Sequence, residues 1–313
     1  RCSITDRHNK QLIMDGQLAL FETQHNKVTP KVVNVASVPQ RSPFRYPGGK
    51  TWLIPVVRKW LRQSIPKAPK AFGGGTKTLI EPFAGGGIVS LTAAFENLAE
   101  KIVMVELDRE VAAVWEVIIN GEHNWLADKI YSFDLSSENA NAILLKEDKT
   151  IKEQAFSTIL KNRIFHGGII TKGSGLIKKG EKGKGIKSRW YPKTLRDRIM
   201  AVGHVKSKMK FKTDDAFAEL EKIKDDVNTY SFIDPPYTVA GKRLYTHFEI
   251  DHDALFALTA QLKGKFMLTY DDTEEIRGLA EKYNLDFRTI PMKTTHHIQK
   301  NEIIISDNFD WWK

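Results

Sequence analysis

Hydrophobic positions along the 313 residues change period in a regular order. Over 52–65 they recur at helical spacing, with Leu53, Val56, Val57, Trp60 and Leu61 on one face. Pro55 then falls in the first turn, where its missing amide would be unpaired anyway. A short apolar run at 78–80 predicts a buried strand. A glycine turn (85–87), a helix over 88–98, a second strand over 102–105 and a helix over 109–119 follow. Later strands are expected at 209–211, 230–233, 265–269, 285–290 and 302–305, with helices over 251–262 and 273–283. This alternation predicts an α/β fold with a doubly wound parallel sheet. Residues 136–200 break the rhythm with helical stretches around a Gly/Lys-rich loop (167–187). The expected organisation is therefore a sheet domain, 44–135 and 206–313, interrupted by an insert, 136–205. Residues 1–43 are polar and weakly patterned, with a short helix expected over 11–21; they read as an N-terminal extension with no assignable role. No sequence unit repeats along the chain.

Composition narrows the class. Hydrophobic residues make up 41% and charged residues 27%, which suits a globular core and excludes disordered or fibrous chains. The single cysteine, Cys2, cannot close an internal disulfide, and no Cys/His spacing fits zinc, so no metal is expected. His296-His297 reads as a polar loop. The longest apolar run, 111–119, is interrupted by Glu116 and too short to cross a bilayer, so no membrane partner is expected. No signal-peptide pattern opens the chain, and its polar start without Met is expected of a trimmed chain. A cytoplasmic compartment and a monomer follow as expectations.

Charge adds a partner. The net charge is +10, yet residues 161–212 hold 16 Lys/Arg against only Glu181 and Asp197. All the positive excess lies there, because the rest of the chain is slightly acidic. A concentrated basic block implies a polyanion, most simply nucleic acid.

Glu81-Pro82-Phe83-Ala84-Gly85-Gly86-Gly87 joins a predicted strand to a helix. Glycine there lets a ligand approach the backbone, and the helix start offers unpaired amides. It is no dinucleotide fingerprint, since Ser90 stands where the third glycine belongs, and Lys50-Thr51 lacks the upstream glycine of a nucleotide-triphosphate loop. Glu106, at the end of the second strand, is placed to accept both hydroxyls of a nucleoside ribose. Asp234-Pro235-Pro236-Tyr237 ends a later strand at the sheet's carboxyl edge. Its prolines remove two donors, leaving an acceptor-rich rim beside an aromatic ring, suited to an amino group on a flat base.

Taken in order, 44–50 (Phe-Arg-Tyr-Pro-Gly-Gly-Lys), 81–87 and 234–237 resemble the Dam-type (class α) DNA adenine-N6 methyltransferases, which use S-adenosylmethionine. Asn162-Arg163, Gly167-Gly168 and Ser188-Arg189-Trp190 are similar to the target-recognition region of one branch of that family, and 268–272 and 302–305 resemble its later segments. The likeness spans about 44–306. It implies a Rossmann-like methyltransferase sheet interrupted by a basic, largely helical and loop insert for target recognition. It implies S-adenosylmethionine as cofactor and S-adenosylhomocysteine as product, held by Tyr46, Lys50, Glu81, Phe83, Gly85, Gly87, Glu106 and Asp215. Within that set Glu81 and Lys50 would hold the methionine end, and Asp215, with Asp214 as competitor, the adenine amine. Asp234, Pro235, Pro236 and Tyr237 would be catalytic: Asp234 and the Pro235 carbonyl accept from the amine of a flipped adenine, and Tyr237 stacks on the base. Tyr245 or Phe248 could line that pocket or serve only as core. Asn162, Arg163, Lys178, Lys179, Lys187, Arg189 and Trp190 would bind double-stranded DNA.

The expected activity is site-specific adenine methylation by a bacterial or phage-type enzyme, with a cognate restriction endonuclease as a partner left open. Methylation of RNA adenine or the cytosine amine is a second reading, and a nucleic-acid-binding protein with a degenerate site a third.

Overall fold

Strand β1 (Thr78–Glu81) lies at the centre of a seven-stranded sheet, paired in parallel with β2 (Lys101–Val105) and β4 (Thr229–Ile233). Outside them run β3 (Met209–Lys212), parallel to β2, and β5 (Lys265–Asp271), parallel to β4. The last strands, β6 (Asp286–Lys293) and β7 (Gln299–Ser306), form an antiparallel pair with β7 against β5, giving the order 3-2-1-4-5-7-6. This is a mixed α/β, Rossmann-like sheet. The computed structural model describes residues 38–45, 48–64, 77–171, 174–237, 249–293 and 299–312. The helix expected over 11–21 lies outside them, as do Cys2, Tyr46, Tyr245, Phe248 and His296-His297.

Every residue of β4 is buried, as its unbroken run of Thr, Tyr, Ser, Phe and Ile suggests for a strand covered on both faces. A 3-10 turn (Lys50–Leu53) leads into α1 (Ile54–Ser64), where Pro55 occupies the first turn and Val57, Trp60 and Leu61 are fully buried. Helix α2 (Ile88–Phe95) ends three residues before the sequence pattern does, and Asn97 then adopts a left-handed φ of 53°. Helix α3 (Arg109–Ile119) has its predicted bounds, set at the start by the Asp108 carboxylate accepting from the Glu110 and Val111 amides.

Residues 136–205 are not a separate domain. They hold α5 (Ser137–Leu145), α6 (Ile151–Ile164) and α7 (Pro192–Val205), preceded by α4 (His123–Ser132), which the pattern had not announced. Phe156, Ile159, Leu160, Leu195, Ile199 and Val202 join one buried cluster with Trp60, Leu79 and Trp115. Burying each such side chain contributes about 1.5–3 kcal/mol, so these helices are part of the main core. Helix α6 starts with a reciprocal Thr150–Glu153 capping box.

The N-terminal boundary also moves. Val38 is buried, the Ser42 hydroxyl donates to the Gly86 carbonyl at 2.6 Å, and Arg163 donates to the Pro43 carbonyl. Residues 38–43 thus pack against the sheet body, whereas the sequence placed them in an extension ending at 43. Among the described residues the remaining α-helices are α8 (Ala216–Ile223), also unannounced, α9 (His252–Thr259) and α10 (Glu274–Lys282). Among the described residues no helix is long and apolar enough to cross a membrane.

Candidate active site

The strand order reverses between β1 and β4, so their carboxyl ends lie side by side at the crevice where such sheets bind ligands. A cavity of about 850 Å³ opens there. The β1 end contributes Glu81, Phe83, Gly85 and Gly87; β2, Glu106; β3, Asp215; and β4, Asp234 and Pro236. Residues from four separate strand ends thus converge in one space.

The glycine turn is tightly braced. Gly85 donates to Glu106 Oε2 at 2.8 Å and accepts from the Trp115 indole at 2.8 Å; Ala84 donates to the Val105 carbonyl at 2.9 Å. Gly87 enters α2 with φ of 62°, and a Cβ there would meet the Met104 methyl at 2.5 Å and the Trp115 ring at 2.9 Å. Glu106 also accepts from the Asp108 amide at 2.9 Å, so both of its oxygens are oriented by backbone. Burial pushes its carboxyl up to about 7, against the pull of those amides. Glu81 is buried, accepts from the Ser90 amide at 2.9 Å, and has no cation at salt-bridge distance among the described residues. Burial pushes it up to about 8. A buried carboxylate facing the cavity without a counter-ion fits an incoming ammonium. Asp215 lines the cavity while capping α8 through the Ala218 amide at 3.0 Å; Asp214 pairs with Lys222 instead and does not line it.

Asp234 sits on a built support. Its Oδ1 receives the Thr269 hydroxyl at 2.8 Å, the Lys50 ammonium at 3.0 Å and, at 3.3 Å, the Tyr237 hydroxyl, which is also 3.1 Å from Glu302 Oε2. The described residues give Oδ2 no donor. Lys50 is buried, donates to the Gly48 carbonyl at 3.2 Å, and lies 3.7 Å from Glu302. Burial lowers its pKa, but Asp234 and Glu302 outweigh this and hold it above the ordinary lysine value. Lys50 thus lines the cavity with its ammonium held between Asp234 and Glu302.

The Tyr237 ring stacks on Tyr270 with centroids 5.6 Å apart and carries the Lys50 ammonium 4.7 Å from its centroid. Among the described residues Asp234 and Pro236 line the cavity while Pro235 and Tyr237 do not, and the Tyr237 hydroxyl lies beside Asp234. Thr269 and Glu302 are the residues sequence reasoning left without roles. The signal for Thr269 was register: Ile233 pairs with Leu268, so the next positions, Asp234 and Thr269, are neighbours.

The residues expected to read DNA divide. Asn162 is buried and clamps the chain: its amide accepts from the Arg45 N–H at 2.8 Å and donates to the Arg45 and Gly168 carbonyls at 3.0 and 2.7 Å. Gly168 has φ of 76°, and a Cβ there would meet the Arg45 carbonyl at 2.7 Å, so glycine permits this close approach. Arg163 is buried against Pro43, and burial with Arg198 and Arg45 nearby lowers its pKa to about 9. Both line the inner cavity and are not exposed base readers. Trp190 packs edge-on against Phe133 at 6.1 Å. Arg189 lines the cavity with Arg45 and Arg198, whereas Lys178, Lys179 and Lys187 are exposed outside it. Among the described residues no cluster of three metal-ligating side chains occurs.

Among solved structures, the chain is similar to precorrin-6y C5,15-methyltransferase from Geobacter metallireducens GS-15, with 11% identity, coverage of 80% of this chain and 86% of that one, and a TM-score of 0.32. It is also similar to PH1948 from Pyrococcus horikoshii, described as a candidate RNA methyltransferase, with 11% identity, coverage of 81% and 96%, and a TM-score of 0.34. At such low scores these likenesses say nothing of substrate or mechanism. No curated protein matches the chain. The sequence match is more specific and implies a DNA substrate and a methyl donor of the S-adenosylmethionine type. Residues 46–159 match the family of D12 class N6 adenine-specific DNA methyltransferases, and this supports an adenine-specific DNA methyltransferase of the Dam type.

Proposed function

We propose that the protein transfers a methyl group from S-adenosylmethionine to the exocyclic amine of an adenine flipped out of double-stranded DNA. The observation that carries this reading is Asp234: Lys50, Thr269 and Tyr237 all reach one oxygen, the described residues give the other no donor, and the carboxylate shares a cavity with the glycine turn. When bound, the cofactor supplies an electrophilic methyl on a sulfonium. Glu81 would hold its ammonium, Glu106 its ribose hydroxyls and Asp215 its adenine amine, with Gly85 and Gly87 giving close backbone approach.

The adenine amine is a weak nucleophile because its lone pair is delocalised into the ring. Asp234 Oδ2 accepts a hydrogen bond from the amine and favours its pyramidal geometry as positive charge develops. A paired base cannot reach a strand-end cavity, so the nucleotide must leave the stack. Lys178, Lys179 and Lys187 would contact phosphates and steer the duplex, while Arg189, which lines the cavity, would face the extruded nucleotide.

Labelled S-adenosylmethionine and duplex DNA from a methylation-free host should yield labelled N6-methyladenine. Asp234→Ala should abolish transfer and leave cofactor binding within about threefold, because Asp234 contributes in the transition state rather than to cofactor affinity. Label in RNA adenine or in the cytosine amine alone would replace this substrate. Turnover retained by Asp234→Ala would sink the mechanism.

A further inference from the structure

Glu302 does not itself line the cavity, yet it is a buried acid wired to the carboxylate that does the chemistry. It lies on β7, in register with Asp271 of β5 and Ile290 of β6. Its Oε2 is 3.7 Å from the Lys50 ammonium and 3.1 Å from the Tyr237 hydroxyl. Those same two groups reach Asp234 Oδ1 at 3.0 and 3.3 Å. Four side chains from the turn before α1, the segment after β4, and β7 thus form a closed polar ring, with Thr269 of β5 completing the support of Asp234.

We propose that Glu302 is a positioning residue for Asp234: it shares the Lys50 ammonium and the Tyr237 hydroxyl, holds Oδ1 in place and leaves Oδ2 to the incoming amine. The inference rests on the reading of Asp234 as amine acceptor. With one ammonium between two carboxylates, neither takes its full charge, so Asp234 stays a strong acceptor. If Glu302 loses its charge, Lys50 pairs with Asp234 alone and the Tyr237 hydroxyl turns wholly to it. Asp234 then becomes a weaker acceptor at the moment positive charge grows on the amine.

Charged or titratable groups face Glu302 from three directions: Lys50 before α1, Asp234 and Tyr237 after β4, and Asp271 on β5. The residue in register on β6 is Ile290, which adds no charge. Burial pushes Glu302 up to about 7, against the pull of Lys50. Acidification through that range therefore imposes on the wild type the same loss of charge as Glu302→Gln.

The test is kcat as a function of pH for the wild type, Glu302→Gln and Glu302→Asp, using S-adenosylmethionine and methylation-free duplex DNA. At pH 8.5, chosen to lie about one unit above the range in which a carboxyl raised as far as this one titrates, Glu302→Gln should lower kcat about 10- to 100-fold with cofactor KM within about threefold. It should lack the acid limb that the wild type shows near 7. Glu302→Asp should recover part of the rate and the limb, displaced in pH. A Gln variant with wild-type kcat, or with the wild-type limb intact, overturns the proposal. If the Gln variant fails to bind S-adenosylhomocysteine because it is unfolded, the Asp variant decides: a displaced limb supports the role and an unmoved one overturns it. A wild type that makes no N6-methyladenine on any duplex overturns the adenine reading, and this inference with it; an active wild type with indifferent variants overturns this inference alone.

Discussion

Glu106 Oε2 accepts the Gly85 amide at 2.8 Å, so the acid ending β2 fastens the turn that follows β1. One side chain both shapes the glycine platform and offers its remaining lone pairs to the cavity. Replacing Glu106 with Ala removes a charged acceptor from Gly85 and from the ribose position together. Each such hydrogen bond contributes about 1.5–3 kcal/mol, so S-adenosylhomocysteine affinity should fall at least about tenfold. Titration calorimetry measures this, and unchanged affinity would remove Glu106 from the cofactor site.

Cofactor binding should release protons. Without ligand, burial keeps Glu81 near 8 and Glu106 near 7, so at pH 7 Glu81 is mostly protonated and Glu106 partly so. An ammonium beside Glu81 and hydroxyls donating to Glu106 favour the ionised forms. Affinity should rise from pH 6 until the ligand's own α-amino group discharges, at about 7.7–8.0. The linkage sign for folding is opposite. Folded pKa values above the unfolded carboxylate range mean that the folded state binds more protons, so ligand-free stability falls as pH rises from about 4.3 towards 8. Calorimetry at pH 7 in buffers of different ionisation enthalpy checks the first expectation; zero proton release would refute it.

The sheet was legible because its buried strands are short apolar runs with sharp glycine, proline or acidic stops. The glycine turn, Glu106 and Asp234 were legible for the same reason, since each sits at a strand's carboxyl end. Helix α6 was harder: the faces of its second half are covered all round, so Ser157, Thr158, Asn162 and Arg163 are buried with the apolar residues and no stripe stands out. That burial turns Asn162 and Arg163 into clamps on Arg45, Gly168 and Pro43, a structural role that the resemblance, which implied DNA binding for both, did not foretell. The partnership of Glu302 with Lys50 was missed because it spans 252 positions in sequence and exists only through the pairing of β5 with β7.

Gly87 should not tolerate a side chain. Its φ of 62° is unfavourable for L residues, and an added methyl would lie 2.5 Å from the Met104 methyl and 2.9 Å from the Trp115 ring. Met104 can move, but Trp115 is fully buried and tied to Gly85, so relief would distort the turn. Gly87→Ala should destabilise the protein by about 1–3 kcal/mol. It should weaken cofactor binding as well. Chemical denaturation reads the first effect, and a wild-type midpoint would mean that the turn relaxes freely.

The basic surface should act through phosphates rather than bases. Lys178, Lys179 and Lys187 are exposed, and their segment carries glycines with positive φ at 180, 183 and 185. Phosphate contact by a flexible ammonium gives affinity without sequence and releases counterions. Changing all three to Gln should weaken binding to cognate and unrelated duplexes by similar factors. The slope of log affinity against log salt should lose about 0.9 for each phosphate contact removed, so a change of roughly two to three is expected if all three engage. Fluorescence anisotropy over a salt series measures it. An unchanged slope would return these lysines to a solvated surface, and a loss confined to the methylated sequence would instead make them base readers.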